Sequence, residues 1–316
     1  MVFTVAVCTW KRSDLLRRTL ARLAGVDAAG LDWEVLVVDN ADDEATRSVV
    51  REAASRLPLR SLVEPRLGAS RARNVAIRSA RGRWIAWTDD DVLVDRGWLQ
   101  AYRAAVTRWT DDAFFGGPIR PAFEAPPPTW LTAGWTTLAN VYAARDFGNE
   151  PRALDPRHVP YGPNLVVRTS VQRRYPFDEA LGPRGTDGVR GEETTMVRQL
   201  LADGHGGRWV PDARVEHIIP GERMTLEYIA RYYVGLGMAE RVRRGLADVP
   251  GCPPWHWRRA FDLECAYRAA RATEPPEVWI PLFVDACVAR GRCRTREREK
   301  LTDRRSEVHR GICPNP

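Results

Sequence analysis

The chain has 316 residues, of which 44% are hydrophobic and 28% are charged. This length and composition suffice for one large domain or two ordinary ones, and they exclude collagen-like, coiled-coil and wholly disordered chains. The formal net charge is +7, and residues 225–316 alone hold 17 basic and 12 acidic residues. An excess of this size is typical of a solvated surface, so we expect no nucleic-acid partner, while peripheral contact with a membrane stays an alternative.

The N-terminal residues, MVFTVAVCTWKR, lack the basic region, the long apolar region and the cleavage site of a secretory signal. No apolar run approaches the roughly 20 residues of a membrane-spanning helix. These features predict a cytoplasmic protein.

The first hundred residues alternate between apolar runs rich in β-branched residues and amphipathic runs. Strands are predicted at 3–9, 33–38, 59–64 and 84–88, and helices at 14–23, 45–57 and 70–80. This alternation predicts an α/β fold with a mostly parallel sheet that helices cover on both faces.

The remainder of the chain has a less regular pattern. It predicts helices at 98–109 and 192–202, and short strands at 113–117, 164–167, 208–210 and 213–215. The proline-rich segment 118–135 is predicted to be a loop over the site. From Thr225 onward the periodicity is helical, interrupted at Pro250, Pro253, Pro254, Pro275 and Pro276.

Polar side chains follow each of the first four predicted strands: Thr9 and Lys11, Asp39 and Asn40, Glu64, and the triplet Asp89, Asp90 and Asp91. Ligands of open α/β sheets bind beyond the carboxyl ends of the strands. Three consecutive carboxylates repel one another unless a cation or hydrogen-bond donors hold them. A divalent ion such as Mg²⁺ or Mn²⁺, bound together with a nucleotide diphosphate, fits this triplet. The alternative is an acidic loop that precedes the helix beginning near Gly97.

Four segments resemble, in order and spacing, the motifs of glycosyltransferase family 2, the inverting sugar transferases of the GT-A fold. They are VAVCTWKRSDLLRRTLARL, WEVLVVDN, GASRARNVAIRSARGRWIAWTDDD and GEETTM. The resemblance covers roughly residues 3–217. It implies a catalytic domain over 1–224, with a nucleotide-binding half (1–105) and an acceptor half (106–224), followed by a helical region over 225–316.

The resemblance also implies site residues for a nucleotide-sugar donor of the UDP, GDP or dTDP type. Thr9 and Lys11 would lie beside the nucleotide, Asp39 would contact its base, and Arg73 would lie near the nucleotide or its diphosphate. The triplet matches the DxD motif, which implies Asp89 toward the ribose, Asp91 on the metal and Asp90 in support.

The general base and a third metal ligand follow from the same resemblance. Gly191, Glu192 and Glu193 match a Gly-Glu-Asp motif whose last acid is the base, which implies Glu193. Because Glu replaces Asp there, Glu192 stays a second candidate. The alternative is that both acids stabilise the N-terminus of the predicted helix. His217, after the late strand, would join Asp91 on Mn²⁺ or Mg²⁺, whereas an isolated histidine is otherwise a hydrogen-bonded residue.

The acceptor is less determined by the sequence. A glycan, a lipid-linked glycan and a natural product all fit, and a homodimer fits as well. A nucleotidyltransferase is disfavoured because CTWKRSD has no glycine, and a degenerate, non-catalytic GT-A scaffold is disfavoured because the acidic residues are retained.

The cysteines concentrate in the C-terminal region, which holds Cys252, Cys265, Cys287, Cys293 and Cys313. We expect buried thiols here, with a Cys/His zinc site as the alternative, and no disulfides in a cytosolic protein.

Overall fold

The computed structural model describes residues 1–185, 189–246 and 251–294. They form two compact units. The first unit contains residues 1–128, 138–185 and 191–224, and the second contains Thr129–Thr137, residues 189–190 and the described residues from Thr225 onward. Pro250 and Cys313 lie outside the described residues.

The first unit contains a sheet of eight strands and a smaller sheet of three. In chain order the strands are β1 (Phe3–Thr9), β2 (Trp33–Asp39), β3 (Leu59–Val63), β4 (Trp84–Asp89), β5 (Val92–Val94), β6 (Phe114–Gly116), β7 (Ile119–Phe123), β8 (Arg152–Ala153), β9 (Leu165–Arg168), β10 (Gly207–Trp209) and β11 (Val215–Ile219). The large sheet has the order β3-β2-β1-β4-β9-β6-β10-β8, and the small sheet has the order β5-β11-β7.

The helices of the chain are α1 (Ser13–Leu23), α2 (Glu44–Ala53), α3 (Ala69–Ser79), α4 (Trp98–Arg108), α5 (Thr129–Ala133), α6 (Trp135–Leu138), α7 (Thr169–Gln172), α8 (Glu192–Ala202), α9 (Leu226–Arg243), α10 (Pro254–Thr273) and α11 (Pro276–Arg292). Of these, α1 to α4, α7 and α8 belong to the first unit.

Both faces of the large sheet are buried, which explains the nearly continuous apolar runs in its first strands. Side chains alternate between faces along a strand. Val5 and Val7 pack with Leu16 and Leu20 of α1, whereas Ala6 belongs to the core cluster that contains α3. Strands β1 to β4 pair in parallel, while β9 is antiparallel to its neighbours β4 and β6. The structure therefore confirms the predicted fold class.

The prediction of a loop over 118–135 was wrong. Residues Ile119–Phe123 form β7, which pairs in parallel with β11, and Thr129–Ala133 form α5. Proline is tolerated in this strand because β7 lies at the edge of its sheet. The late strand also begins and ends later than predicted, so that His217 lies within β11 and not after it.

The second unit is built on three long helices, α9, α10 and α11. Pro254 and Pro276 stand at the beginning of α10 and α11, where a missing backbone N–H costs nothing. Helices α9 and α11 cross closely: a Cβ on Gly237 would lie 2.2 Å from the Val288 carbonyl oxygen, and one on Gly291 would lie 2.1 Å from that of Val234. Over the described residues, no helix has the length and apolar character needed to cross a bilayer.

Candidate active site

The register of the parallel strands places the predicted polar residues side by side at the carboxyl ends of adjacent strands of the large sheet. Thr9 lies opposite Asp39, and Cys8 lies opposite Asp89. Asp90 and Asp91 follow at once and are buried, with about 3% of their surface exposed. Asp89 keeps about a third of its side chain exposed, whereas Asp90 and Asp91 enter the interior in succession and need compensation for their charge.

Asp90 is held by Thr9, the last residue of β1, and by Arg12, which follows that strand. The hydroxyl of Thr9 donates to its Oδ2 at 2.7 Å, and Nη1 of Arg12 donates to its Oδ1 at 2.6 Å. Burial raises the pKa of Asp90 to about 6, although Arg12 opposes the shift. The side chain of Thr9, predicted to lie beside the nucleotide, therefore supports the acidic triplet.

Asp91 is held from the small sheet and the turn that follows it. Its Oδ2 accepts from Nη2 of Arg223 at 2.9 Å and from Nη1 of Arg12 at 3.0 Å, while its Oδ1 lies 3.4 Å from Nε2 of His217. Burial opposes ionisation, yet His217, Arg223 and Arg12 hold the pKa of Asp91 well below its usual range. Asp91 is consequently a carboxylate at neutral pH.

His217 is oriented by the backbone. Its Nδ1 lies 2.7 Å from the carbonyl oxygen of Tyr142, so that nitrogen carries a proton and donates it. Burial lowers the pKa of His217, but the Asp91 carboxylate outweighs this and leaves the pKa raised. Its other nitrogen, Nε2, lies 3.4 Å from Oδ1 of Asp91 and 3.3 Å from Nη1 of Arg223.

Arg73, on α3, joins the triplet to α8. Its guanidinium contacts Asp89 Oδ1 at 3.2 Å, Glu193 Oε1 at 2.7 Å and also Oε1 of Glu192. Burial lowers the pKa of Arg73, but the surrounding carboxylates raise it well above its usual value. The side chain is one-tenth exposed, so this cation is a nearly buried hub.

Glu193 lies against a glycine. A Cβ on Gly162 would stand 2.4 Å from Oε1 of Glu193, so a side chain at that position would displace the carboxylate. Tyr161 precedes this glycine, and its ring is covered by the guanidinium of Arg145 at 3.7 Å. Tyr142 and Trp209 are fully buried core residues.

Two predicted nucleotide contacts make local interactions here. Both oxygens of Asp39 accept backbone hydrogen bonds, from Ala41 at 2.8 Å and from Asp43 at 2.9 Å, and they shape the turn that leads into α2. Lys11 adopts a left-handed backbone conformation (φ 53°) and lies over the ring of Trp10.

Sequence reasoning missed Arg12 and Arg223, which lie 79 and 132 residues from Asp91. Arg12 stands in the predicted segment after β1, so its position was a usable signal. Nothing in the pattern around Arg223 marks it.

Comparison with known proteins identifies the chain. The profile named "Glycosyl transferase family 2" matches residues 4–156. The match takes in just under half of the chain, so residues 4–156 are similar to glycosyltransferase family 2.

Two curated relatives agree with this assignment. The transferase is 26% identical to succinoglycan biosynthesis protein ExoM of Rhizobium meliloti (strain 1021) over 236 residues, which cover 72% of this chain and 70% of ExoM. It is 35% identical to validoxylamine A glucosyltransferase of Streptomyces hygroscopicus subsp. limoneus over 106 residues, or 33% of this chain and 23% of that protein. Relatives of this kind make the chain a glycosyltransferase.

A solved structure shares the fold. Mannosyltransferase PcManGT from Pyrobaculum calidifontis, in complex with GDP-Man and Mn²⁺, superposes with a TM-score of 0.59. The match covers 91% of this chain and 85% of that one at 18% identity. The chain accordingly has a GT-A fold.

Removal of the Arg73 guanidinium should destabilise the protein far more than removal of the guanidinium of a neighbouring arginine. We expect Arg73→Met to lower the free energy of unfolding by about 3 kcal/mol or more, because three carboxylates lose their common cation. Arg71→Met, on the same helix, breaks only a partly exposed pair with Glu179 and should cost about 1 kcal/mol or less. Urea denaturation of both variants measures the difference, and equal losses would show that Arg73 is not a hub.

Proposed function

We propose that the chain transfers a sugar from a nucleotide-diphosphate donor to an acceptor nucleophile, with a divalent metal ion and with inversion at the anomeric carbon. The observation that carries the proposal is the cluster of charged side chains at the carboxyl ends of the parallel strands. It joins the carboxylates of Asp89, Asp90, Asp91, Glu192 and Glu193 to three guanidinium groups and one imidazole. Such a concentration of buried charge has a high energetic cost and is typical of a functional site.

The pair Asp91 and His217 suits Mn²⁺ or Mg²⁺. Among the described side chains, no group of three or more His, Cys, Asp or Glu residues is arranged as a metal cage. A carboxylate oxygen and an imidazole nitrogen 3.4 Å apart are a fitting half-set of ligands, because diphosphate oxygens commonly supply the others. The hydrogen bond from Nδ1 to Tyr142 fixes the ring as such ligands require. A bound ion would supply positive charge to the leaving diphosphate.

The donor side of the proposal rests on the strand ends. Asp89 is directed to the ribose, Asp39 to the base, and Thr9 and Lys11 line the nucleotide, with Arg73 near the diphosphate. The register of β1, β2 and β4 supports this arrangement, because it brings Thr9, Asp39 and Asp89 together at the carboxyl ends of these strands.

Burial distinguishes the two candidates for the general base. Both side chains pair with Arg73, but that of Glu192 is 4% exposed, whereas that of Glu193 is 17% exposed and also lies beside Gly162. A base must reach the proton of an incoming acceptor. We therefore assign the base to Glu193 and the positioning of Arg73 to Glu192.

The residues then divide the reaction between them. The carboxylate of Glu193 takes the proton of the acceptor as the acceptor attacks the anomeric carbon from the face opposite the diphosphate. Arg73 holds Glu193 and Asp89 at fixed separation and contributes positive charge near the leaving group.

The acceptor is proposed to be a glycan, a lipid-linked glycan or a natural product. The names of the two curated relatives, which refer to succinoglycan biosynthesis and to validoxylamine A, support this range. Tyr161 immediately precedes Gly162, the glycine that lies against Glu193, and is therefore an aromatic residue near the proposed base.

Nucleotide binding tests the donor and the metal together. We expect UDP, GDP or dTDP to raise the thermal midpoint only with Mn²⁺ or Mg²⁺ present, by a stabilisation of about 2.7 kcal/mol at 100 times the Kd. Asp91→Asn and His217→Gln should abolish the metal-dependent part. Glu216→Gln, an exposed neighbour on β11, should leave it intact.

The same experiment can contradict the proposal. Absence of a shift with every nucleotide would favour a non-catalytic GT-A scaffold. A shift that is independent of metal would retain the donor and exclude the proposed ion.

The general base can be tested without the natural acceptor, because water replaces it in slow donor hydrolysis. We expect Glu193→Gln to lower the rate of nucleoside diphosphate release by about 100-fold or more while nucleotide binding is unchanged. Glu192→Gln should act less on the rate, since its carboxylate only holds Arg73. The reverse order of the two variants would assign the base to Glu192.

A further inference from the structure

The first two turns of α10 expose three large aromatic side chains. Trp255, Trp257 and Phe261 are 62%, 45% and 65% exposed. The opposite side of the helix is buried, where Ala260 and Tyr267 lie in the interior. Exposed aromatics concentrated in this way are typical of an interaction surface.

Arginines accompany these rings. Arg258 and Arg259 lie between the aromatics and are exposed, and Arg268 and Arg271 follow on the same helix. Over its length α10 carries four arginines and two acidic residues, Asp262 and Glu264. We call Trp255, Trp257, Arg258, Arg259 and Phe261 the α10 surface.

We propose that the α10 surface binds the headgroup region of an anionic membrane. Tryptophan and phenylalanine prefer the boundary between headgroups and acyl chains, and adjacent arginines pair with anionic phosphates. The inference concerns α10 alone and does not depend on the proposed sugar transfer.

Co-sedimentation with vesicles tests this surface. We expect the full chain to sediment with vesicles of phosphatidylcholine and phosphatidylglycerol and much less with phosphatidylcholine alone. Arg258→Gln combined with Arg259→Gln should weaken binding by about 25-fold, since each basic residue near such a surface contributes about fivefold. Trp257→Ser combined with Phe261→Ser should also weaken it, by tenfold or more.

The controls are chosen to separate a membrane from other partners. Val278→Ser removes an exposed apolar side chain on α11 and should leave binding unchanged. Equal sedimentation of all variants would overturn the proposal. The proposal would also be overturned if light scattering showed that the unaltered chain is a dimer and that the Trp257 and Phe261 double variant is a monomer, because a second copy would then cover the surface.

An independent observation concerns two cysteines near the ends of this unit's helices. The Sγ atoms of Cys252 and Cys293 lie 3.0 Å apart, against about 2.05 Å in a disulfide bond. Both are free thiols; Cys252 is half-buried and Cys293 is 3% exposed. Arg241 binds the backbone oxygens of Gly251 and Arg292 on either side of the pair, so the two segments are already held together.

We infer that Cys252 and Cys293 form a disulfide when the protein meets a disulfide oxidant such as oxidised glutathione. The Cys252 thiolate attacks one glutathione sulfur and expels the first glutathione. The Cys293 thiol then loses its proton and attacks Cys252 Sγ, expelling the second, so two protein thiols become one disulfide and two glutathiones are reduced. This order fits burial and the neighbouring Cys252 thiol, which raise the pKa of Cys293 to about 12.

Peptide mass spectrometry without reductant tests the pair. After oxidised glutathione is added, we expect a cross-linked peptide joining Cys252 to Cys293, and a thermal midpoint a few degrees higher that reductant reverses. Cys252→Ser should lose both, whereas Cys265→Ser, at an exposed cysteine, should keep both. Stable glutathionylation of Cys252, or its pairing with Cys265, would overturn the inference.

Discussion

The repulsion among Asp89, Asp90 and Asp91 is the constraint around which the first unit is arranged. Asp89 ends β4 partly exposed, Asp90 and Asp91 follow it into the interior, and each of the three receives a cation from a different part of the chain. Arg73 on α3 contacts Asp89, Arg12 after β1 contacts Asp90, and Arg223 after β11 contacts Asp91. Arg12 also contacts Asp91, so that Asp91 is held by Arg12, Arg223 and His217 together. The positions of α3, the first loop and the small sheet are thereby coupled to one short segment.

The same segment shows how environment differentiates identical side chains. Asp90, beside Thr9 and Arg12, has its pKa raised to about 6 by burial, whereas the two arginines and His217 keep that of Asp91 well below its usual range. One carboxylate is thus embedded in supporting hydrogen bonds. The other is a firmly ionised carboxylate next to an imidazole that the Tyr142 carbonyl orients.

The local sequence pattern predicted the first strands and the acidic triplet, but not the residues that pair with that triplet. Strands β1, β2 and β4 are largely apolar on both faces and are followed by polar residues, so hydrophobic periodicity and the polar strand ends located Asp89 to Asp91. The partners of those residues could not be found this way, because Arg223 is 132 residues from Asp91 and an ion pair leaves no periodic signal. Pro121 argued against a strand at 119–123, because proline is tolerated mainly at the edge of a sheet. The edge position of β7 follows from its pairing with β11, which the sequence pattern does not show. Periodicity likewise could not indicate that Thr129–Thr137 pack with the C-terminal helices.

The distribution of the site along the chain has a physical consequence. The family profile ends at residue 156, yet Glu192, Glu193, His217 and Arg223 lie beyond it. In a fragment ending there, Arg73 would keep only Asp89, and Asp91 would lose two of its three partners. Closing loops of this length costs chain entropy, which buried ion pairs alone do not repay. The apolar packing of both sheet faces must therefore supply the free energy that assembles the charged cluster, and the cluster forms only when the first unit is complete.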